Sequence, residues 1–221
     1  MHFVKSADSS LGQNDLSEAL SKSLSEGQVL WLLTGGSNVQ ITVNVLDQLE
    51  DSLTCNLNIL LADERYGPAG HPDSNYTKLV RAGLNLKQAT FPDVLAGDLD
   101  PEETVKKYTE LFNSYKDQSK TVIAQLGIGE DGHIAGVLPF SPGVSSSETI
   151  VYFEASDFKR LTLSLNALKE VNMSLIFCFG SNKSQALKRL AGGQESLEAL
   201  PSLILKQMPE VTVYNDQLEE G

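Results

Sequence analysis

The chain of 221 residues is 41% hydrophobic and 21% charged, the composition of an ordinary globular protein with length for one sizeable core. Its 17 Lys and Arg stand against 29 Asp and Glu, a net charge of −12, with a pI of about 4.6. That balance argues against a nucleic-acid or anionic-membrane surface, because both need clustered cations. An anionic ligand must be held by a few local cations against a repulsive overall field, so single Arg and Lys positions matter.

The opening "MHFVKSADSS" lacks the apolar run of a secretory signal, and no apolar stretch reaches the roughly 20 residues of a membrane span. A cytoplasmic protein is expected. "QVLWLLTGG" (28–36) is a continuous apolar run ending in glycines, the pattern of a buried strand. "SNVQITVNVLDQLE" follows with Val39, Val43 and Leu46 at helical spacing and Ser37 or Asn38 available as N-cap. "NLNILLADER" (56–65) reads as a second strand that ends in charge. "SNYTKLVRAGL" (74–84) starts a helix with a capping Ser. "DPEETVKKYTELFNSY" (100–115) opens with the residues that a helix N-terminus favours.

"TVIAQLGIG" is a third strand, "PFSPGVSSSET" (139–149) a surface loop, and "LTLSLNALKEV" (161–171) has no clean period. "SLIFCFGS" (174–181) is a fourth strand, "NKSQALKRLAG" its helix, and "VTVYND" (211–216) a last short strand. Cys55 and Cys178 lie in strand-like stretches without close spacing and are expected to be reduced, buried packing residues. With no repeat or linker to divide it, the chain 1–221 reads as one domain. Strands alternating with helices predict an α/β fold: helix–sheet–helix layers around a largely parallel, Rossmann-like sheet. Ligands of such sheets gather at the carboxyl ends of the strands.

Four polar clusters follow strands directly. In "LTGGSN" (33–38), Gly35, Gly36 and Ser37 could cradle an anion at a helix N-terminus or simply make a tight turn. No dinucleotide or P-loop pattern is present. In "ADER", Asp63 and Arg65 share a face while Glu64 points away; the pair could bind a ligand or only each other. His71, in the Gly/Pro-rich loop that follows, is expected to be exposed rather than catalytic. In "GIGEDGHIAG" (127–136), Asp131 and His133 stand two apart among glycines, and a carboxylate can fix the tautomer of a histidine base. No second His or Cys pair completes a metal site, so no metal is expected. In "FGSNKSQALKRL" (179–190), Lys183 sits near a helix start, against the dipole, where it is either solvated or facing an anion. Arg160 is a further cation ahead of "LTLSLNAL".

Taken in order, "LTGGSN", "ADERYGPAGHPDSNY", "QLGIGEDGHIAGVLP", "KRLTLSLNAL" and "GSNK" resemble the 6-phosphogluconolactonase family, within the larger group that includes the glucosamine-6-phosphate deaminases. The resemblance covers residues 28–190, with a weaker echo near the C-terminus. Deaminases of the group carry Tyr at the position of Arg65 and a functional Glu at that of Leu138. "HIAGVLP" is similar to the lactonase form, with Ile134 for its usual Thr and Gly136 for its usual small hydroxyl residue. The resemblance implies hydrolysis of 6-phospho-D-glucono-1,5-lactone in the oxidative pentose phosphate pathway, without cofactor. It implies His133 as general base, Asp131 or Asp63 as its support, and Arg65 as oxyanion stabiliser. Gly35, Gly36, Ser37, Arg160 and Lys183 would hold the 6-phosphate. The alternatives are a sugar-phosphate isomerase or deaminase, or a non-catalytic sugar-phosphate sensor. The expected partner is a small phosphorylated sugar lactone, with no nucleic acid or membrane, and no motif chooses between monomer and dimer.

Overall fold

In the computed structural model, which describes residues 1–219, the chain begins with β1 (His2–Lys5), α1 (Ser10–Glu26), β2 (Val29–Leu33), α2 (Val39–Gln48), β3 (Leu57–Leu61) and β4 (Asp63–Arg65). It continues through α3 (Asn75–Arg81), α4 (Pro101–Gln118), β5 (Thr121–Leu126), β6 (Ile150–Glu154) and β7 (Lys159–Leu163). It ends with α5 (Leu165–Leu168), β8 (Met173–Cys178), α6 (Ser184–Gly192) and β9 (Glu210–Asn215). Six strands form one sheet in the order β1-β9-β8-β5-β2-β3, and β4-β7-β6 form a second, antiparallel sheet. Every pairing in the large sheet is parallel, as the alternation of strand and helix predicts. Among the described residues no helix is long and apolar enough to cross a membrane.

The local reasons are legible in the sequence. The five residues of β2 are all buried because parallel strands are covered on both faces. The side chain of Asp100 accepts from the Glu103 amide (2.9 Å), Pro101 opens α4, and two glutamates fill its first turn. Ser74 caps α3 by accepting from the Thr77 amide (3.1 Å). On α1, Leu16, Leu20 and Leu24 recur every four residues and are fully buried, while Gly12 lets the helix close on Phe177 and Tyr214; a Cβ there would stand 2.7 Å from both rings. The large side chains Trp31, Tyr108 and Phe112 fill the centre of the core.

Several expectations are corrected. "NLNILLADER" is not one strand. Its central-sheet course ends at Leu61, and the chain changes partners at Ala62, whose amide donates to Leu33 O (2.6 Å) and whose carbonyl accepts from Leu163 N (2.9 Å). Asp63–Arg65 then pair with β7 instead, where the buried carboxylates of Asp63 and Glu64 find hydrogen-bond donors from Ser74–Tyr76 at the start of α3. Asn38 takes the N-cap position of α2, but its side chain makes no capping bond there. Residues Gly36–Asn38 form a tight 3-10 turn, and Asn38 Nδ2 donates to Thr34 Oγ1 (3.0 Å). The buried face of α2 also takes in Ile41 and Val45, while Val39 is half-buried. Cys178 is buried, but Cys55 is exposed in a turn before β3. The unclear "LTLSLNALKEV" divides at Ser164, which ends β7 and caps α5 by accepting from Ala167 N (3.2 Å). The structure adds three elements to those expected: β1, α1 and β6.

Candidate active site

The strand order reverses at β2 and β5. From β2 the chain moves to the β3 edge, whereas from β5 it steps the other way through β8 and β9. Such a reversal opens a crevice at the carboxyl ends of the two strands. Here the crevice is lined by Thr34–Asn38 after β2, by Gly127–Gly129, His133 and Ala135 after β5, and by Asp63, Arg65, Asn75, Phe177 and Lys183.

The loop after β5 is shaped around one imidazole. Ile134 and Val137 are fully buried and anchor it in the core. Gly132 turns the chain at φ +90°, and its amide donates to Gly129 O (3.0 Å). Gly129 lies directly beneath the ring, where a Cβ would stand 2.0 Å from His133 Nδ1. Asp131 Oδ1 accepts from both the His133 amide (3.0 Å) and its Nδ1 (2.7 Å). With Nδ1–H donated to the carboxylate, a neutral imidazole presents Nε2 as its acceptor. Partial burial works against the charge of Asp131, but the hydrogen bond and charge of His133 outweigh it and hold the carboxyl at about 2. Arg189 braces the loop from behind: it donates to Asp131 O (3.0 Å) and is itself clamped by Glu195 at 2.7 and 2.6 Å.

β4 supplies the opposite wall with the predicted alternation. Asp63 and Arg65 face the crevice, with Arg65 Nε 3.9 Å from Asp63 Oδ2. Burial pushes the Asp63 carboxyl up, against the pull of the nearby Arg65, Arg160 and His133 charges. Glu64 turns away and accepts from the amides of Arg65, Asn75 and Tyr76 and from Ser74 Oγ, at 2.5–3.0 Å, tying β4 to the start of α3. His71 is half-buried rather than exposed, with Nε2 2.8 Å from Arg65 O.

Of the two carboxylates proposed to support His133, Asp131 is the one that touches its ring; Asp63 is bonded instead to Asn75, whose Nδ2 donates to its carbonyl (2.9 Å) and to Oδ2 (3.2 Å). Gly35, Gly36, Ser37 and Lys183 share the crevice with His133. Gly35 is required by the approach of Asn75, since a Cβ would meet its Oδ1 at 2.0 Å, and Gly36 takes φ +66°. Arg160 stands apart from that turn. It lines an adjoining groove with Glu130, Asp131, Leu138 and Asp157, and donates to Asp157 Oδ2 (2.6 Å); among the described residues Gly129, His133 and Lys183 are common to that groove and the crevice. Gly136 fits local packing: a Cβ there would stand 2.8 Å from Thr162 Cβ and 3.1 Å from Asp63 Cβ, and its amide donates to Thr162 Oγ1 (3.0 Å). Asn75 lies inside "HPDSNY", Thr162 inside "KRLTLSLNAL" and Arg189 inside "FGSNKSQALKRL", but nothing in their spacing marks them off from ordinary polar residues.

An imidazole with its acceptor nitrogen free, a guanidinium across from it, and a glycine turn with a lysine nearby can together hold a small anion and activate water beside it. This defines an α/β protein with a polar, base-bearing site at the strand reversal. Residues 8–214 match the family described as glucosamine-6-phosphate isomerases/6-phosphogluconolactonase, and the chain belongs to that family. It is similar in fold to the 6-phosphogluconolactonase of Thermotoga maritima, with a TM-score of 0.79 at 20% identity over 97% of both chains. A putative 6-phosphogluconolactonase from Neisseria gonorrhoeae gives a TM-score of 0.79 at 25% identity, over 97% of this chain and 99% of that one. Among curated relatives, a glucosamine-6-phosphate deaminase of Lactobacillus johnsonii is 26% identical over 238 residues, 99% of this chain and 95% of its own. The family and the fold expected from the motifs are both borne out, while the relatives divide between two activities.

Proposed function

We propose that this protein hydrolyses 6-phospho-D-glucono-1,5-lactone to 6-phospho-D-gluconate. The observation that carries the reading is His133, bonded through Nδ1 to Asp131 and facing the same crevice as Arg65. Water attacks the lactone carbonyl carbon as its proton passes to His133 Nε2. Arg65 donates to the developing oxyanion, a role in which one well-placed donor is worth roughly 3–4 kcal/mol. The tetrahedral intermediate then expels the ring oxygen, which takes the proton back from His133, and the new carboxylic acid ionises. Asp131 holds the tautomer and stabilises the imidazolium between the two transfers. The phosphate is held by the Gly35–Ser37 turn and Lys183, with Arg160 at the adjoining end of the groove. An ester carbonyl is electrophilic enough for activated water, so the proposed steps call on no cofactor.

The deaminase reading is favoured by the curated sequence relatives. Against it stand Arg65 and Leu138, since a leucine cannot transfer the proton that ring-opening of an amino sugar needs. The test is lactone hydrolysis, with substrate generated in place by glucose-6-phosphate dehydrogenase and followed above its spontaneous decay. Acceleration by the wild type, lost by roughly 10²–10⁴-fold in His133→Ala, is expected. A folded wild type that leaves the lactone at its background rate, and instead releases ammonia from glucosamine 6-phosphate, would replace this reading with the deaminase one.

A further inference from the structure

Arg65 faces the crevice without an anchor of the usual kind. Its Nε is buried with no hydrogen-bond partner, and the Asp63 oxygen at 3.9 Å is beyond hydrogen-bond reach. The β4–β7 register also sets Arg65 directly opposite Arg160, so two like charges stand side by side on one face of the small sheet. Arg160 is tied down by Asp157 at 2.6 Å. What touches both guanidiniums is the ring of Phe158: Arg65 Cζ lies over it, 4.3 Å from the centroid, and Arg160 Cζ lies 5.7 Å away. Both distances fall within the roughly 6 Å range of a cation–π contact.

The ring is held in place by its backbone. Phe158 sits in the turn between β6 and β7, where its carbonyl accepts from Ala155 N (2.9 Å) and its amide donates to Asp157 Oδ1 (2.8 Å). The carbonyl of the next residue, Lys159, accepts from Tyr66 N (2.8 Å), which fastens the turn to the end of β4 immediately after Arg65. We propose that Phe158 is a positioning residue for Arg65, holding its guanidinium by the face so that the Nη donors stay available to the ligand in the crevice. A carboxylate clamp would spend those donors, whereas an aromatic face leaves them free. The proposal rests on the hydrolase reading for what Arg65 then does.

The test compares Phe158→Leu, which keeps the apolar bulk, with Phe158→Tyr, which keeps the ring. Because the oxyanion exists only in the transition state, the leucine variant should lose kcat rather than raise KM. The expected loss is roughly three- to thirtyfold, the range that corresponds to one part-buried cation–π contact. Phe158→Tyr should return kcat to within about twofold of the wild type. Undiminished kcat in Phe158→Leu, or a tyrosine variant as slow as the leucine one, overturns the proposal. A readout independent of turnover is the NMR resonance of the Arg65 Nε–H group, which the ring current of Phe158 displaces. That displacement should vanish in Phe158→Leu and persist in Phe158→Tyr. If the wild type hydrolyses no lactone, the hydrolase reading falls and this resonance still decides the positioning: a shift unchanged by Phe158→Leu would sink it.

Discussion

The ring of His133 lies against Gly129 with no room for a methyl group, the added Cβ falling 2.0 Å from Nδ1. Gly129→Ala should therefore displace the imidazole from Asp131 and lower kcat/KM by at least tenfold, in line with what misplacing a catalytic group costs. Circular dichroism should show a folded protein, since the loop is anchored by buried Ile134 and Val137 on the other side. Asp131→Asn separates orientation from charge. The amide keeps an acceptor for Nδ1–H but lacks the charge that stabilises an imidazolium in the transition state, so kcat/KM should fall while the fold is kept. An undiminished kcat/KM would mean that the charge of Asp131 plays no part in the work of the base. The same carboxyl carries a stability signature. Its folded pKa of about 2 lies below the ordinary 3.8, so its contribution is complete above the ordinary value and is lost as pH falls towards 2. Acid unfolding of Asp131→Asn should be less steep over that window.

At the scale of elements, the helices are held by two different means. α4 has an exposed cap at Asp100, and Asp100→Ala should cost about 1 kcal/mol in urea unfolding while leaving turnover unchanged. α1 has no side-chain cap and depends on its buried leucine row. Leu20→Ala should cost about 2–5 kcal/mol, the range for a large-to-small change in a packed core. The contrast explains what could be read in advance. α4 announces itself through residues that act locally on their own backbone. The row at Leu16, Leu20 and Leu24 is sparse and separated by polar residues, and its meaning depends on the sheet beneath it. β6 is different: Ile150, Val151, Tyr152 and Phe153 are strand formers, but nothing in them says that the partner is β7 in the small sheet rather than a strand of the large one.

Across the whole molecule, the net charge of −12 opposes the approach of a phosphorylated substrate, while Arg65, Arg160 and Lys183 attract it only at short range. Salt screens the long-range repulsion first, since the Debye length is about 10 Å at 0.1 M. For the proposed activity, kcat/KM should rise as ionic strength increases from low values. A steady fall with added salt would show that local attraction already dominates the encounter.

The strand-end clusters were legible because each property is local. Glycines mark where the backbone must turn, alternation puts Asp63 and Arg65 on one face, and a two-residue spacing lets Asp131 reach both the amide and the ring of His133. The α/β class followed in the same way, from short apolar runs alternating with helical periods. Long-range pairing decided the rest. Only the reversal of strand order between β2 and β5 brings the Gly35–Ser37 turn to His133, and only the switch of partner at Ala62 carries Asp63 and Arg65 out of the large sheet to face it. Arg160 joins Arg65 through a register between strands some 95 residues apart, counted as 160 minus 65. A composition or a period cannot express such a contact, because its energy belongs to both strands at once and to neither alone.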